Sequence, residues 1–318
     1  MLDALQNAFF QTGDMLTSRL SAFSSFLWGW PLLILLLGTH LYLTVILRFP
    51  QRYLLKALKL YFVKDHTDKG DISPFSSLMV ALAANIGAGN IIGVGVAIAA
   101  GGPGAIFWCW LTGVLGMATR YSEGLLAIKY RVENKDGNMS GGPMFVLERG
   151  MKCKWLGVLF AFFTAIAAFG IGNLTQGNAA AEQLYHAFSI PAWGTATVLT
   201  ALTALVMLGG IRGIARVCAF FVPVMAVLYI LGCMYILIVQ ADYILPAIRY
   251  ILDCAFTGEA AAGGVVGAAV MTAMRTGVAR GLFSNEAGLG SAAIASAAAQ
   301  NRNPVRQALI SSSGPFWD

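Results

Sequence analysis

The chain has 318 residues, of which 58% are hydrophobic and only 11% are charged. A soluble domain usually carries about 25% charged residues, so the composition indicates a lipid-embedded protein and speaks against a soluble enzyme. The formal net charge of +6 does not indicate a nucleic-acid partner, because the basic residues lie in loops between apolar runs.

Seven apolar runs predict membrane-spanning helices. The first, residues 26 to 47, exceeds the 20 or so apolar residues that cross a bilayer. The residues before it lack the basic start of a cleaved signal peptide, so we expect a retained helix. The other runs cover residues 75 to 100, 104 to 128, 156 to 185, 193 to 210, 217 to 240 and 263 to 283. The predicted fold class is an all-α integral membrane protein, with residues 1 to 318 forming a single transmembrane domain.

The lysines and arginines are distributed unevenly between alternate loops. One set of loops, with the flanking span ends, holds 18 of them, the other set holds 2, and Arg120 lies inside a span. The richer set includes Arg275 and Arg280, at the end of the seventh run. By the positive-inside rule, the richer loops are cytoplasmic and the N-terminus lies outside.

The second run contains the stretch AANIGAGNIIGVG, residues 83 to 95, where a spanning helix would favour leucine. Its glycines are Gly87, Gly89, Gly93 and Gly95, and its asparagines are Asn85 and Asn90. Glycine permits unwinding, and non-helical backbone at membrane depth is tolerated only where it lines a cavity or is buried in protein. We therefore predict an interrupted helix that offers carbonyl oxygens to a cation and amides to a carboxylate. Packing of small residues is the alternative, but it does not require two asparagines.

The fourth run carries FGIGNLTQGNAAAEQL, in which Asn173 and Gln176 share one helix face. Gln176 either binds a polar solute or joins helices by hydrogen bonds, and the sequence leaves both interpretations open. In the seventh run, Gly263, Gly264 and Gly267 predict a second helix break, the counterpart of the first. A packing contact from Gly263 to Gly267 is the equally open alternative.

Ionisable residues inside the spans are few. Arg120 and Glu123, three residues apart near the end of the third run, predict a local ion pair or a gate contact. No acidic residue is predicted at mid-membrane, where a proton-coupled carrier keeps its titrating carboxylate, so neutral oxygens favour sodium. Neither cysteines nor histidines have the spacing of a metal site, and no catalytic constellation is present, so we expect no enzyme and no cofactor. The small-residue segment after the seventh run, SNEAGLGSAAIASAAAQ, predicts a cytoplasmic helix packed against the bundle.

Six motifs in this order resemble the sodium:alanine (alanine or glycine:cation) symporter family. They are NIGAGNIIGV, GGPGAIFW, ATRYSEG, GGPMFVLERG, FGIGNLTQGNAAAE and GVARGLFSNEAGLGSA, and the resemblance covers residues 26 to about 310. It implies a multi-pass protein of a bacterial-type plasma (inner) membrane that moves alanine or glycine together with sodium.

The resemblance also implies a LeuT-type helical bundle with an extra N-terminal helix and discontinuous helices. The first repeat would cover residues 75 to 240 and the second would begin near 263, remaining incomplete, because family members continue for several more helices. Gly87, Gly89 and Asn90 would then bind substrate, with Gln176 on the fourth core helix and the glycines at 263, 264 and 267. Asn85 and Asn90 are the expected sodium ligands, and sodium is the expected coupling ion. A non-transporting membrane subunit, or a carrier of another small solute, remains the alternative.

Overall fold

The structure is a computed structural model that describes residues 2 to 61, 63, 70 to 87, 89 to 257, 266 to 301 and 303 to 318. Within these residues the fold is almost entirely helical. The helices are α1 (Leu2–Leu27), α2 (Trp30–Ile46), α3 (Leu54–Leu60), α4 (Pro74–Asn85), α5 (Val94–Gly101), α6 (Gly104–Lys129), α7 (Pro143–Phe145), α8 (Lys154–Ala167), α9 (Thr175–Phe188), α10 (Ala192–Leu208), α11 (Gly210–Val239), α12 (Ala241–Thr257), α13 (Val266–Asn285), α14 (Ser291–Ala297), α15 (Pro304–Ser312) and α16 (Gly314–Trp317).

Shorter elements connect or interrupt these helices. A 3₁₀ turn covers Pro50–Tyr53, and π-helical segments cover Gly89–Gly93, Val146–Gly150 and Ala168–Leu174. Strands β1 (Val132–Glu133) and β2 (Met139–Ser140) pair antiparallel in a small hairpin between α6 and α7. Two helix starts follow directly from local sequence, because Ser73 and Asn303 each precede a proline and cap the helix with a side-chain oxygen.

Several helices are long and apolar enough to cross a membrane. In the described part of the chain these are Gly13–Ile46, Lys154–Phe188 and Gly210–Val239, and the bent pair Pro74–Asn85 with Gly89–Gly101 adds a fourth. The predicted run 193 to 210 appears as a shorter apolar helix, and the runs near 104 and 263 as the more polar helices α6 and α13. The prediction of an all-α, multi-pass membrane protein is therefore confirmed. Some of the predicted runs form helices that are shorter or more polar than a typical membrane span.

Helix α6 lies at the centre of the chain, where it packs against α2, α12, α13, α14 and α15. His40 on α2 is buried, and its Nδ1 lies 2.6 Å from the Thr119 hydroxyl on α6, which attaches the N-terminal helix to this core. Against α13 the contact is made by small residues, because a methyl group added at Gly277 or Gly281 would overlap Ala105 or Thr112. These glycines are four apart, which is the spacing of a small-residue contact between helices.

Helices α6 and α13 run in the same direction, and this corrects the predicted position of two arginines. Gly101 and Ala105 lie beside Thr276 and Gly277, whereas Gly116, later on α6, lies beside Ala287. Arg275 therefore lies level with the start of α6, at the opposite end of the bundle from Lys129. The charge pattern of the loops predicts Arg275 and Arg280 on the same side as the Lys129 loop, because both arginines lie near the C-terminal end of the seventh apolar run.

At the Lys129 end, three distant segments are joined. Arg131 donates to the carbonyl oxygens of Ala297, Ala299 and Asn301 at 2.8 to 3.0 Å. Ile72 and Ala299 form a parallel bridge, so the segment before α4 is joined to the segment after α14. The small-residue segment predicted to be a packed helix is α14, and most of its residues are buried.

Candidate functional site

The predicted break in the second span is present. Helix α4 ends at Asn85, and the chain resumes as the π-helical segment Gly89–Gly93, with a bend of 43° between the two halves. Short π-helical segments inside helices are frequent at functional sites, because they redirect side chains and free backbone groups. Residue 88 lies outside the described residues.

A second interruption follows α13, at residues 286 to 290. Helix α13 is continuous from Val266 to Asn285, and α14 starts at Ser291. Between them Glu286, Gly288 and Gly290 have φ values of 52°, 101° and 76°. Glycine tolerates this left-handed region, whereas Glu286 is strained there and must be held by its surroundings.

Glu123 on α6 holds this turn. Its Oε1 accepts the backbone N–H groups of Gly288 and Gly290 at 2.9 and 3.2 Å. Glu286 accepts the Ser291 hydroxyl at 2.6 Å, which links the two ends of the turn. The carboxylate of Glu123 therefore sets the position of the chain immediately after Ser284 and Asn285.

The two interruptions meet. The buried Ser284 hydroxyl, one residue before the end of α13, hydrogen-bonds to Oδ1 of Asn90 in the first break. Both groups also contact the Asp318 carboxylate, whose Oδ1 accepts from the Ser284 hydroxyl at 2.7 Å and from Asn90 Nδ2 at 2.9 Å. The cluster therefore combines a hydroxyl, an amide and a carboxylate, which are oxygen ligands suited to a hard monovalent or divalent cation.

Asn85 lies in the same region with an unused acceptor. Its side chain is completely buried, and Nδ2 lies 3.5 Å from the carbonyl oxygen of Asn285, at the limit of a hydrogen bond. Its Oδ1 is buried and has no hydrogen-bond partner among the described residues. A buried acceptor without a partner costs free energy, and a bound cation would remove that cost.

The glycines of the first break allow close approach to neighbouring side chains. A Cβ atom at Gly87 would lie 3.3 Å from Oε1 of Gln176, and a Cβ at Gly89 would lie 3.3 Å from the Phe283 ring. Gln176 is in the first turn of α9, directly after the π-helical segment Ala168–Leu174. The structure thus brings together Gly87, Gly89, Asn90 and Gln176, which the sequence had assigned to one site.

Other predicted residues lie elsewhere. Asn173 is exposed, so it does not share the position of Gln176. Gly263 and Gly264 lie outside the described residues. Gly267 lies in the first turn of α13, about 27 Å along the helix from Asn285, so it does not line the same cluster. The break predicted at Gly263 and Gly264 therefore stays a prediction, and the interruption at residues 286 to 290 lies at the other end of α13.

Arg120 and Glu123 do not form the predicted ion pair. In the described part of the chain, Glu123 Oε2 and Arg120 Nε are buried without hydrogen-bond partners. Glu123 is directed to the turn at Gly288, whereas the guanidinium of Arg120 lies beside Gly314. The backbone amides of the glycine turn compete for the carboxylate, and this explains the difference.

Sequence reasoning missed Ser284, Asn285 and Asp318 as site residues. The signal was present for the first two, because NEAGLG directly follows an apolar run, as IGAGN does in the second span. No comparable sequence pattern marks Asp318. A single aspartate after two aromatic residues does not indicate which helix it contacts.

The chain was compared with known proteins. Residues 13 to 318 match the model of the sodium:alanine symporter family. The chain is 51% identical to the sodium/alanine symporter AgcS of Methanococcus maripaludis, over 95% of this chain and 67% of that protein. It is 54% identical to an uncharacterized transporter of Haemophilus influenzae, over 95% of this chain and 66% of the relative.

A more distant relative is the probable sodium/glutamine symporter GlnT of Bacillus subtilis, which is 36% identical over 92% of this chain and 60% of the relative. The chain thus spans about two thirds of the length of the curated relatives it matches. The family match nevertheless extends over almost all of its residues. The chain belongs to the sodium:alanine symporter family.

Proposed function

We propose that this chain carries the ion- and substrate-binding part of a sodium-coupled symporter for a small neutral amino acid, alanine or glycine. The protein lies in a bacterial-type plasma membrane with its N-terminus outside and works by alternating access on a LeuT-type bundle. Residues 75 to 240 form the first repeat, and the second begins near residue 263.

The observation that carries this proposal is the meeting of two interrupted segments through Ser284 and Asn90. Transporters commonly place substrate and coupling ion between two discontinuous helices, because unwound carbonyls bind the cation and helix-start amides bind the carboxylate. Here the two interruptions come from segments 194 residues apart in the chain. A packing contact alone does not require that both helices be broken at the same level.

Sodium fits the oxygen groups of this cluster. Asn85 provides a buried amide oxygen that no described residue hydrogen-bonds. Asn90 and Ser284 provide an amide and a hydroxyl beside the Asp318 carboxylate. Oxygen ligands of this kind suit hard cations. Cation binding beside Asn90 would favour the form that accepts the amino acid, and each ligand would then bind better in the presence of the other.

Gln176 and the glycine break form the proposed substrate contact. The Gln176 amide lies against Gly87, so a side chain at Gly87 would reduce the space between them. The names of two relatives, a sodium/alanine and a probable sodium/glutamine symporter, make glutamine the second candidate substrate. The alternative from another class is a membrane subunit in which these residues serve only helix packing.

The test is equilibrium binding of radiolabelled alanine to the purified 318-residue chain in sodium and in potassium, with unlabelled glycine and glutamine as competitors. We expect sodium-dependent binding that glycine displaces, and its loss in Asn90→Ala and Gln176→Ala with an unchanged elution profile. Stronger displacement by glutamine would reassign the substrate. Absence of binding in both salts, with variants that alter only thermal unfolding, would favour the packing role.

A further inference from the structure

A cavity separate from the two interruptions lies between the N-terminal helices and α13. Its volume is about 320 Å³, and its lining includes Ser24, Ser25, Trp28, Arg275, Arg280 and Phe283. Two of its described lining residues are arginines, and none of the described ones is acidic. The proposed ion and substrate cluster uses none of the polar side chains in this cavity.

Arg275 and Arg280 are both half-buried, and the described part of the chain shows one contact of each guanidinium. Arg275 donates from Nη2 to the carbonyl oxygen of Ser25 at 3.1 Å. Arg280 lies over the Phe283 ring, with Cζ 5.9 Å from the ring centroid. A guanidinium has five N–H donors, so most of this donor capacity remains available to a ligand in the cavity. The two cations also repel each other, and an anion between them would remove that repulsion.

The surroundings of the cavity favour a lipid. Phe23, Phe26 and Trp30, on either side of the lining residues of the first helices, are exposed by 60%, 64% and 61%. Large apolar side chains at this exposure face hydrocarbon in a membrane protein, and tryptophan is enriched at the membrane interface. The cavity lies at the start of α6, level with the end of the bundle, so a headgroup would reach it from the interface.

We propose that this cavity binds the phosphate headgroup of an anionic phospholipid between Arg275 and Arg280. Basic pockets between transmembrane helices bind lipid phosphates, and arginine suits them because its planar fork makes paired hydrogen bonds to phosphate oxygens. The hydroxyls of Ser24 and Ser25 add donors, and Trp28 adds an apolar wall beside the acyl chains. The bound lipid would join α1 and α2 to α13.

The site also has a route to the ion and substrate cluster. Phe283 lines the cavity on one side and lies against Gly89 on the other, and the next residue is Ser284. Lipid binding would therefore restrain α13 at the position where it contacts the first interruption. This consequence rests on the proposed function, whereas lipid binding itself does not.

The test is titration of the delipidated 318-residue chain with phosphatidylglycerol, followed by native mass spectrometry. We expect at least a tenfold weaker affinity in Arg275→Gln/Arg280→Gln and a change within twofold in Arg249→Gln, which removes an exposed base on α12. Arg275 also hydrogen-bonds to the carbonyl of Ser25, so the double variant could fail to fold. In that case the single Arg280→Gln variant tests the proposal, and we expect its affinity for phosphatidylglycerol to be at least threefold weaker.

Two further ligands identify the source of the phosphate. Phosphatidylcholine, which has the same acyl chains but no net charge, should bind at least tenfold more weakly than phosphatidylglycerol. Glycerol 1-phosphate, which has no acyl chains, should not displace the lipid at equal concentration. Equal binding of phosphatidylcholine, full displacement by glycerol 1-phosphate, or an unchanged affinity in Arg280→Gln would each overturn the proposal. None of these readouts depends on alanine binding, so the two proposals fail separately.

Discussion

The Ser284 hydroxyl hydrogen-bonds to the side-chain oxygen of Asn90, although 194 residues separate the two in the chain. This contact joins the end of α13 to the π-helical segment of the first interruption. Loss of one buried hydrogen bond usually costs about 1 kcal/mol, and more where a partner stays unsatisfied.

Ser284→Ala should therefore weaken sodium-dependent alanine binding. We expect the sodium concentration at half-saturation to rise about tenfold, equivalent to about 1.4 kcal/mol. Alanine binding measured over a sodium titration checks this. Ser122→Ala is the control, because within the described residues that hydroxyl bonds to the carbonyl of Ala118 on its own helix. An equal change in both variants would contradict a specific role for Ser284.

Replacement of Gly87 by alanine should place a methyl group 3.3 Å from Gln176 Oε1, closer than an ordinary contact. Gln176 must then shift, and we expect alanine binding to weaken at least tenfold. In a Gln176→Ala background the same change should add little, because the two sites share one contact. A double-mutant cycle of binding free energies measures this, and additive effects would show that Gly87 and Gln176 act separately.

Removal of the Glu123 carboxylate should loosen the turn at residues 286 to 290. Hydrogen bonds to a charged group contribute about 1.5 to 3 kcal/mol each, and Glu123 accepts two backbone N–H groups. We expect Glu123→Ala to lower the midpoint of thermal unfolding and to speed amide hydrogen exchange at Gly288 and Gly290. Glu123→Gln keeps an acceptor oxygen, so its unfolding midpoint and exchange rates should lie between those of Glu123→Ala and the unchanged chain.

Glu148→Ala serves as the control for Glu123, since that side chain is exposed. The expectation fails if exchange at Gly288 and Gly290 is as slow in Glu123→Ala as in the unchanged chain.

The contact between α6 and α13 should not tolerate side chains. An alanine at Gly277 would overlap the carbonyl oxygen of Ala105, so we expect Gly277→Ala to destabilise the protein by about 1 to 3 kcal/mol. Gly232→Ala, on α11, meets no atom within 4 Å and should be neutral or slightly stabilising. Denaturant unfolding in detergent compares the two, and equal stability would mean that the helices separate without cost.

The first interruption was predictable because its signal is local. Glycines and asparagines inside one apolar run are visible in a short window, and the helix does break after Asn85. The interruption at residues 286 to 290 was not predicted, because its signal is not local. Gly288 and Gly290 lie in a turn that depends on Glu123, a residue of another helix.

Contacts between residues of different helices were harder to predict from the sequence. The spacing of Arg120 and Glu123 suggested an ion pair, yet backbone amides from a distant turn bind the carboxylate. The position of Arg275 depended on the direction in which α13 packs beside α6, and loop charge counts do not report that direction. The contacts of Asp318 join three separate segments, so no local pattern predicts them.

The three carbonyl oxygens that surround the Arg131 guanidinium belong to residues made long after it. Ala297 follows Arg131 by 166 residues, which at roughly 5 to 20 residues per second corresponds to about 10 to 30 seconds of translation. During that interval Arg131 is already synthesised, while the residues that supply its acceptors are not. We therefore expect the order of assembly during biogenesis to be set by the emergence of residues 297 to 301, and slowed translation of that region to prolong the exposure of Arg131 to quality-control proteases.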